Sequence, residues 1–184
     1  RASYFRGELK TLLELPASKL AGPLDSLVGS YAGAQGWGQF MPSSIRDYAV
    51  DEDHDGRIDL HDSADDIVAS VANYLHGYGW ERDAPVAARA QPDAKARASD
   101  LNELMPKHPL EQFEAWGYAP LQRIDPGRLA SLQQLEGPAG PEYWFTFQNF
   151  YVITRYNRSP LYAMAVEQLA QAIAAGVAQA DAAR

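Results

Sequence analysis

The 184-residue sequence contains no cysteine, which excludes disulfide bonds, thiolate zinc sites and cysteine nucleophiles. It also has no uninterrupted apolar run of roughly 18 residues, so we expect no membrane-spanning segment. Positive charge is scarce, because 16 lysines and arginines stand against 24 aspartates and glutamates, for a net charge of −8. This balance argues against nucleic acid or an anionic membrane as a partner.

Common catalytic signatures are missing as well. There is no G-x-S-x-G, H-E-x-x-H or P-loop motif, and the four histidines are scattered. A glycosidase needs a carboxylic acid in an apolar pocket, often with a second carboxylate nearby. Glu8 and Glu14 fall on the first predicted helix, where we assign them to the solvent-facing side. The pattern therefore offers no convincing general acid.

Hydrophobic periodicity predicts helices before and after a proline-rich middle segment. The predicted helices cover residues 4–15, 45–50, 63–78 and 159–177. The first carries Phe5, Leu9, Leu12 and Leu13 on one face. Ser63 and Ser159 are the expected N-caps, with Asp66 at the capping-box position of the one and Pro160 at the first position of the other.

The middle segment, residues 81–141, holds most of the twelve prolines. Short helices are predicted over residues 100–104 and 110–116. Residues 129–135 favour a strand, and residues 143–153 begin as one, because they are rich in aromatic and β-branched side chains. Together these elements predict a small α+β subdomain inserted between helices.

Residues 51–59 form an acidic loop that matches the first half of a calcium-binding loop. Asp51, Asp53 and Asp55 alternate, so that their oxygens can converge on one ion, and Gly56 permits the sharp turn. Hard oxygen ligands favour calcium over zinc or copper. The alternative is a solvated Asp/Gly turn, although its aspartates would repel one another without a cation.

The second half of the loop departs from the calcium-binding pattern. Arg57 would offer its carbonyl, and Asp59 could reach the ion through water. The twelfth position is Asp62 rather than glutamate, and Asp is too short to chelate easily from there. Asp65 or Asp66 could close the site from the start of the next helix, where a carboxylate is favoured.

A glycine- and aromatic-rich run lies just before this loop. Its polar and aromatic members are Ser30, Tyr31, Gln35, Trp37, Gln39 and Phe40. Neutral hydrogen-bonding groups beside aromatic faces suit a sugar ring, which stacks on one and bonds to the other. A buried aromatic cluster is the equal alternative. Residues 149–157 are a second candidate site at a junction between elements, with a satisfied polar turn as the alternative.

Several motifs occur in the order that is typical of one family. They are Ser30-Tyr-Ala-Gly-Ala, Gly38-Gln-Phe-Met-Pro-Ser-Ser44, Tyr48-Ala-Val-Asp51, Ser70-Val-Ala-Asn-Tyr74 and Asn149-Phe-Tyr-Val-Ile-Thr-Arg-Tyr-Asn157. They resemble the membrane-bound lytic transglycosylase B family of bacterial murein-cleaving enzymes, and the likeness spans nearly the whole chain.

This resemblance implies a mainly α (α+β) fold with a lysozyme-like helical core, an EF-hand-like calcium loop and a small inserted β-containing subdomain. Residues 1–80 would form part of the core, with the calcium loop at 51–66. Residues 81–147 would be the inserted subdomain, and residues 148–184 would return to the core and end in a helix.

The implied reaction cleaves the glycan strand of peptidoglycan between N-acetylmuramic acid and N-acetylglucosamine and leaves a 1,6-anhydromuramyl end. One glutamate of the family protonates the glycosidic oxygen and then removes a proton from the attacking muramyl O6. The matching position precedes Arg1. We therefore expect this chain to be the carboxyl-terminal portion of such an enzyme, inactive alone because its catalytic glutamate lies upstream.

The resemblance also implies residue roles. Positions matching the glycan cleft are Ser30, Gln39, Tyr74, Tyr156, Asn157 and Tyr162. Tyr156 and Tyr162 would lie nearest the scissile bond, Ser30 would orient the acid, and Arg1 and Tyr4 would lie on the rim. The implied ligands of a structural calcium are Asp51, Asp53, Asp55, the Arg57 carbonyl and Asp66. Asp66 is preferred to Asp65 because the following Ser-Val-Ala-Asn-Tyr motif fixes the helix register.

No organic cofactor is implied. We expect a monomer that binds peptidoglycan glycan strands and no nucleic acid, completed by the amino-terminal part of the same enzyme. The expected location is the bacterial periplasm, with anchoring to the outer membrane in some relatives. The main alternative function is a non-catalytic module that binds peptidoglycan or a partner enzyme. A calcium-sensing protein is disfavoured, because sensing loops occur in pairs.

Overall fold

The computed structural model describes residues 1–97 and 101–182. The chain divides into two compact units, Arg1–Tyr78 and Gly79–Arg184. This division lies close to the predicted boundary at residue 80. It also assigns the last two helices to the same unit as the sheet. The expected return of residues 148–184 to the core of the first segment therefore stays a prediction.

The first unit is helical, and its helices overlap the predicted ones, although the second begins at Pro42, three residues before the predicted start, and ends at Tyr48. They are α1 (Ala2–Glu14), α2 (Pro42–Tyr48) and α3 (Ala64–Gly77), with short 3-10 turns at Ala17–Lys19 and Leu24–Ser26. The hydroxyl of Ser63 accepts a hydrogen bond from the backbone N–H of Asp66 at 3.3 Å, which confirms the predicted cap of α3. Proline opens α2, since the first helical residue needs no N–H donor.

The orientation of α1 differs from the prediction. Its apolar residues Phe5, Leu9 and Leu13 are 41%, 56% and 61% exposed, whereas Glu8 is only 8% exposed. The assignment of Glu8 to the solvent-facing side is therefore wrong. Periodicity identifies which residues share a face, but it does not tell which face packs against a neighbour.

Loops contribute more buried apolar residues to the core of the first unit than its helices do. The buried apolar residues from its loops are Leu15, Leu20, Ala34, Phe40, Ala49, Ile58 and Leu60. The N–H of Ile58 donates to the carbonyl of Ser18 at 2.7 Å, and the ammonium of Lys19 donates to the carbonyl of Arg46 at 2.8 Å. The first bond joins two irregular segments to each other, and the second holds Lys19 against α2.

The second unit contains a five-stranded antiparallel sheet in the order β2-β4-β5-β1-β3. The strands are β1 (Ala87–Pro92), β2 (His108–Pro109), β3 (Tyr118–Pro120), β4 (Leu129–Gly137) and β5 (Gly140–Thr146), and α4 is Leu110–Ala115. A tight turn joins β4 to β5, with Gly137 paired to Gly140. Phe113, Phe145 and Phe147 are fully or almost fully buried against this sheet.

The predicted elements of the middle segment are confirmed with one exception. The helix expected over residues 100–104 is absent from residues 101–104, and residue 100 lies outside the described residues. There Leu101 forms a bridge with Leu132, and the N–H of Asn102 donates to the carbonyl of Leu132 at 2.8 Å. Pairing with a sheet edge therefore overrides local helix propensity. Strands β1, β2 and β3 were not predicted. The alanines of β1 favour strands only weakly, and β2 and β3 have only two and three residues.

Two helices close the second unit, α5 (Gln148–Tyr156) and α6 (Pro160–Ala182). Asn149 at the start of α5 is fully buried. Its side chain accepts from the N–H of Glu81 at 2.8 Å and donates to the carbonyls of Glu81 and Ala84 at 2.8 and 3.1 Å. A single amide therefore satisfies three backbone groups and holds residues 81–84 against α5.

Most of α6 is exposed. Over the described residues it is the one helix long and apolar enough to cross a membrane by length and composition, with 11% of its most apolar window buried. The sequence predicts no spanning segment, because Glu167 and several glutamines interrupt the apolar run. The mean hydropathy of the helix is nevertheless high enough to meet the criterion. Core helices of soluble proteins and signal sequences meet the same criterion, so the finding by itself assigns no membrane role.

Candidate functional site

The first unit carries an open pocket of about 520 Å³. Its polar and aromatic lining residues are Ser30, Trp37, Gln39 and His61, beside Val28 and Ala34. The pocket therefore contains two of the predicted cleft residues, Ser30 and Gln39. None of the described residues that line it is a carboxylate. Such a mixture of aromatic, amide and hydroxyl groups can stack and hydrogen-bond a neutral polar ligand.

A tight turn fixes the Ser30 side of this pocket. The backbone N–H groups of Ser30 and Gly33 donate to the carbonyls of Ala34 and Ser30, both at 2.8 Å. The Ser30 hydroxyl accepts from the N–H of Ala34 at 3.1 Å, which leaves its proton for donation. Gly33 has a φ of +86°, a conformation that glycine adopts without strain.

A second turn carries Trp37 and Gln39. Its base is an antiparallel bridge in which Gln35 and Phe40 exchange backbone hydrogen bonds of 2.8 and 2.9 Å. Gln39 has a φ of +49°, and its amide donates to the carbonyl of Gly36 at 2.9 Å. The turn thus holds the Gln39 side chain folded, while Trp37 remains 81% exposed and available for stacking.

The same turn is joined to residues 59–61. The N–H of Trp37 donates to the carbonyl of Leu60 at 2.9 Å. Gly36 has a φ of +67°, and a Cβ on it would lie 2.3 Å from the Leu60 carbonyl oxygen. Only glycine permits this approach. The position of His61 beside the pocket follows from this contact, and the spacing of residues in the sequence did not predict it.

Tyr74 lies behind this wall instead of lining the pocket. It is 7% exposed, and its ring lies 5.8, 4.9 and 4.7 Å from the rings of Phe40, Tyr48 and Tyr78. Such tilted and edge-on ring contacts stabilise an aromatic cluster. The buried aromatic cluster, one of the two alternatives for this region, is therefore present behind Phe40. The sugar-binding surface stays a prediction.

The other predicted cleft residues belong to the second unit. Tyr156 ends α5, Asn157 is its exposed C-cap, and Tyr162 lies in the first turn of α6. Burial, with a smaller contribution from the nearby Tyr162, raises the pKa of Tyr156 to about 12. The Tyr156 hydroxyl therefore keeps its proton at neutral pH. The hydroxyl of Ser159 accepts from the N–H of Tyr162 at 3.3 Å, which fixes the start of α6.

The start of α1 holds the two predicted rim residues. Arg1 is exposed, and Tyr4 is 54% exposed with its ring 5.3 Å from that of Phe5. Burial raises the pKa of Tyr4, and the Glu8 carboxylate one turn later raises it further. The carboxylate of Glu8 is itself engaged by Ser43, whose N–H and hydroxyl donate at 2.9 and 2.8 Å.

The acidic loop gathers carboxylates at one point. Oxygens of Asp51, Asp53 and Asp66 lie within 4.8 Å of one another. Asp51 also accepts from the N–H groups of Asp55 and Gly56 at 3.2 and 2.9 Å, which closes the loop around its first residue. Three converging carboxylates with oxygen ligands alone suit a hard divalent cation.

Asp66 is the most buried member of this group, at 1% exposure. Its two oxygens accept from the N–H groups of Glu52 and Asp59, both at 2.8 Å. It therefore joins both ends of the loop to the start of α3. Asp55 and Arg57 are exposed, and Asp55 accepts from the N–H of Arg57 at 2.8 Å.

Asp59 follows the loop and is nearly buried. Burial alone would raise its pKa, but N–H groups of Asp62 and His61 donate to it, and the Arg57 guanidinium lies 3.2 Å away. Together these donors hold the pKa of Asp59 below its usual range. Its carboxylate is therefore engaged in ordering residues 59–62, a role that the spacing of aspartates did not reveal.

Comparison with known proteins places this geometry in a family. The family described as Transglycosylase SLT domain matches residues 1–171. The membrane-bound lytic murein transglycosylase B of Escherichia coli (strain K12) is 45% identical over 174 residues, which are 95% of this chain and 47% of that protein. The chain therefore spans about half the length of this curated relative.

Two solved structures extend the likeness. The Escherichia coli lytic transglycosylase Slt35 in complex with calcium is 45% identical with a TM-score of 0.84, over 96% of this chain and 55% of that one. SltB3 from Pseudomonas aeruginosa in complex with NAG-NAM-pentapeptide is 33% identical with a TM-score of 0.79, over 90% and 45%. These likenesses confirm the mixed α and β, lysozyme-like fold class.

Proposed function

Because the chain belongs to the transglycosylase SLT family, we propose that it forms the glycan-binding half of a lytic transglycosylase that acts on peptidoglycan. The bond cleaved joins N-acetylmuramic acid to N-acetylglucosamine, and the product ends in 1,6-anhydromuramic acid. The observation that carries the proposal is the pocket lined by Ser30, Trp37 and Gln39, since these groups suit a sugar ring without offering a charge.

The reaction needs one acid that becomes a base. A carboxylic acid protonates the glycosidic oxygen, and the bond from that oxygen to the muramyl C1 breaks. The O6 of the same muramyl residue then bonds to C1 and gives its proton to the carboxylate. No water is consumed, and the acid is restored. A single carboxyl group therefore suffices, unlike the pair used by hydrolytic glycosidases.

We assign the supporting roles residue by residue, as the family resemblance implies them. Ser30 orients the acid through the hydroxyl proton that its own turn leaves available. Tyr156 and Tyr162 serve near the scissile bond, where the Tyr156 hydroxyl, with its raised pKa, donates without ionising. Gln39 and Asn157 hydrogen-bond sugar substituents, and Arg1 and Tyr4 contact the strand at the rim. Tyr74 acts indirectly, by supporting Phe40 from behind the wall.

None of the carboxylates in these 184 residues is assigned as the acid. Among the residues that the structure describes, Glu8 is the one buried glutamate. Ser43 engages both of its oxygens, so the Glu8 carboxylate is occupied within the fold. We therefore propose that the chain alone binds glycan without cleaving it, which also defines the second candidate function, a binding module.

The acidic loop is proposed as a structural calcium site. Asp51, Asp53, Asp55, the Arg57 carbonyl and Asp66 would hold the ion, which would offset the repulsion between carboxylates. The gathered oxygens of Asp51, Asp53 and Asp66 fit this assignment, as does the calcium complex of a relative. No organic cofactor is assigned. We place the protein in the bacterial envelope, in the periplasm or anchored to the outer membrane.

Digestion of purified murein sacculi tests the function. We expect the chain to co-sediment with sacculi and to release no anhydromuropeptides detectable by mass analysis. Tyr156→Phe should weaken co-sedimentation, because it removes one hydroxyl. Tyr151→Phe, which removes a hydroxyl from the same helix, is the matched control and should leave it unchanged. Released anhydromuropeptides would refute the statement about the acid, and absence of sedimentation would refute glycan binding.

A further inference from the structure

Glu8 is a buried carboxylate that the proposed reaction does not use. It lies in the middle of α1 and is 8% exposed, while Phe5 and Leu9 on the same helix are 41% and 56% exposed. One oxygen accepts from the N–H of Ser43 at 2.9 Å, and the other accepts from the Ser43 hydroxyl at 2.8 Å. Both acceptors are thus directed at one residue 35 positions away.

Burying a carboxylate is costly unless charge-assisted hydrogen bonds compensate. Within residues 1–97 and 101–182 Glu8 forms no ion pair, so its compensation comes from hydrogen bonds, two from Ser43 and one from the Tyr4 side chain. Such an arrangement stabilises one geometry strongly, because displacement of Ser43 removes two of the donors to a buried charge. The carboxylate therefore specifies the distance between α1 and Ser43.

Ser43 occupies the second position of α2. The helix starts at Pro42, and its N-cap residue Met41 provides no side-chain hydrogen bond. The first N–H groups of a helix need an acceptor from elsewhere. Glu8 supplies that acceptor across space, in the role that a serine or aspartate N-cap has in most helices.

The start of α2 is continuous with the turn that lines the pocket. Phe40, which precedes Met41, closes that turn through its two backbone bonds with Gln35. Gln39 immediately before it has a φ of +49°, a conformation that an ordinary residue keeps only under constraint. Fixing Ser43 therefore limits how far the Phe40 end of the turn can move, and with it Trp37 and Gln39.

We propose that Glu8 is a positioning residue for the glycan pocket. By holding the start of α2 it keeps the turn of residues 36–39 in its binding geometry, and it touches no substrate itself. The part of this inference that concerns glycan rests on the proposed function. The part that concerns the turn stands without it.

Amide hydrogen exchange of the full 184-residue chain tests the inference directly. In Glu8→Gln the side chain keeps its size, but it has one acceptor oxygen for two donors. We expect exchange at the Phe40 and Trp37 amides to become about ten-fold faster, with Phe145 in the sheet unchanged. Glu14→Gln, which removes the same charge from an exposed position of α1, should change none of them.

Ser43→Ala is the second variant, and it keeps the test decisive if Glu8→Gln does not fold. It removes the hydroxyl donor and leaves the N–H, so exchange at Phe40 and Trp37 should rise by about three-fold. Unchanged exchange at these amides in the folded variants overturns the inference, because Glu8 would then have no effect on the turn. A uniform rise that includes Phe145 also overturns it, because Glu8 would then affect only global stability.

Affinity for the soluble N-acetylglucosamine tetramer separates the two claims. If the unmodified chain binds the tetramer, Glu8→Gln should bind it about ten-fold more weakly under conditions where circular dichroism shows both fully folded. Equal affinities would overturn the positioning role at the pocket. If the unmodified chain does not bind the tetramer, glycan binding by this pocket is refuted, and the exchange data alone decide whether Glu8 positions the turn.

Discussion

Replacing Gly36 by alanine tests the contact that joins the pocket to residues 59–61. A Cβ at this position would lie 2.3 Å from the Leu60 carbonyl oxygen and 2.7 Å from the Leu60 Cβ. These two atoms of Leu60 cannot move away easily, because Leu60 is 5% exposed and its carbonyl accepts a hydrogen bond from the N–H of Trp37. Either the turn or residues 59–61 must therefore shift.

The loss in free energy of unfolding that we expect for Gly36→Ala has three parts. A left-handed φ costs an alanine about 1–2 kcal/mol, the steric overlap costs about 1–3 kcal/mol, and losing the Trp37–Leu60 hydrogen bond costs about 0.5–1.5 kcal/mol. Gly33→Ala isolates the first part, since Gly33 has a φ of +86° but no atom within 4 Å of its added Cβ. Gly36→Ala should therefore be about 2–4 kcal/mol more destabilising than Gly33→Ala.

Thermal unfolding followed by circular dichroism measures this difference. For a chain of this size 1 kcal/mol shifts the melting temperature by about 2–4 °C, so the two variants should differ by roughly 4–16 °C. Gly36→Ala should also lower affinity for the N-acetylglucosamine tetramer, because Trp37 belongs to the displaced turn. Equal melting temperatures for the two variants would refute the reasoning, since they would mean that the Leu60 contact is not tight.

Three further predictions concern the metal loop, the buried amide and pH. Calcium at 100 times its dissociation constant should stabilise the chain by about 2.7 kcal/mol, which thermal unfolding would show as a higher melting temperature. Asp66→Asn should abolish this increase in melting temperature. No effect of calcium on the unmodified chain would count against the site. Asn149→Ala should lower the free energy of unfolding by about 1–3 kcal/mol, because it leaves the partly buried N–H and carbonyl of Glu81 without their side-chain partner. Gln148→Ala is the control, and equal losses would contradict the assignment. The pKa of Tyr156 is raised from 10.0 to about 12, so the stability that its protonated form contributes is present below pH 10.0 and is lost as pH rises through about 12; a Tyr156→Phe chain with the same alkaline unfolding profile would disprove this.

Local signals predicted most helices of this chain, because those helices begin where a side chain or a proline fixes the backbone. Ser63 and Pro160 predicted the starts of α3 and α6. In the structure Ser63 is the N-cap of α3, and α6 begins at Pro160. Hydrophobic periodicity alone could not predict which face of α1 is buried, however, because it does not identify the element that packs against the helix. The lack of any capping side chain at Met41 was the available sign that α2 needs an acceptor from another element, and Glu8 is that acceptor.

Several strands could not be predicted from their own residues, because they form only by pairing with strands distant in sequence. β4 was predicted from its own residues, whereas β1 is built largely of alanine and becomes a strand because β5 and β3 pair with it. Residues 101–104 show the reverse, since the edge of the sheet captures a segment with helical propensity. The grouping of Asp51, Asp53 and Asp66 likewise needs the fold, because only the start of α3 brings Asp66 back to the loop.

Two-dimensional NMR of the labelled chain, titrated with the N-acetylglucosamine tetramer, tests glycan binding by the pocket most directly. Tryptophan side-chain N–H signals report on each indole separately. The account predicts that the Trp37 indole signal and the amide signals of residues 30–39 shift with ligand, while Trp116, packed against the sheet core, does not. Shifts that leave residues 30–39 unchanged, or no shifts at all, would contradict it.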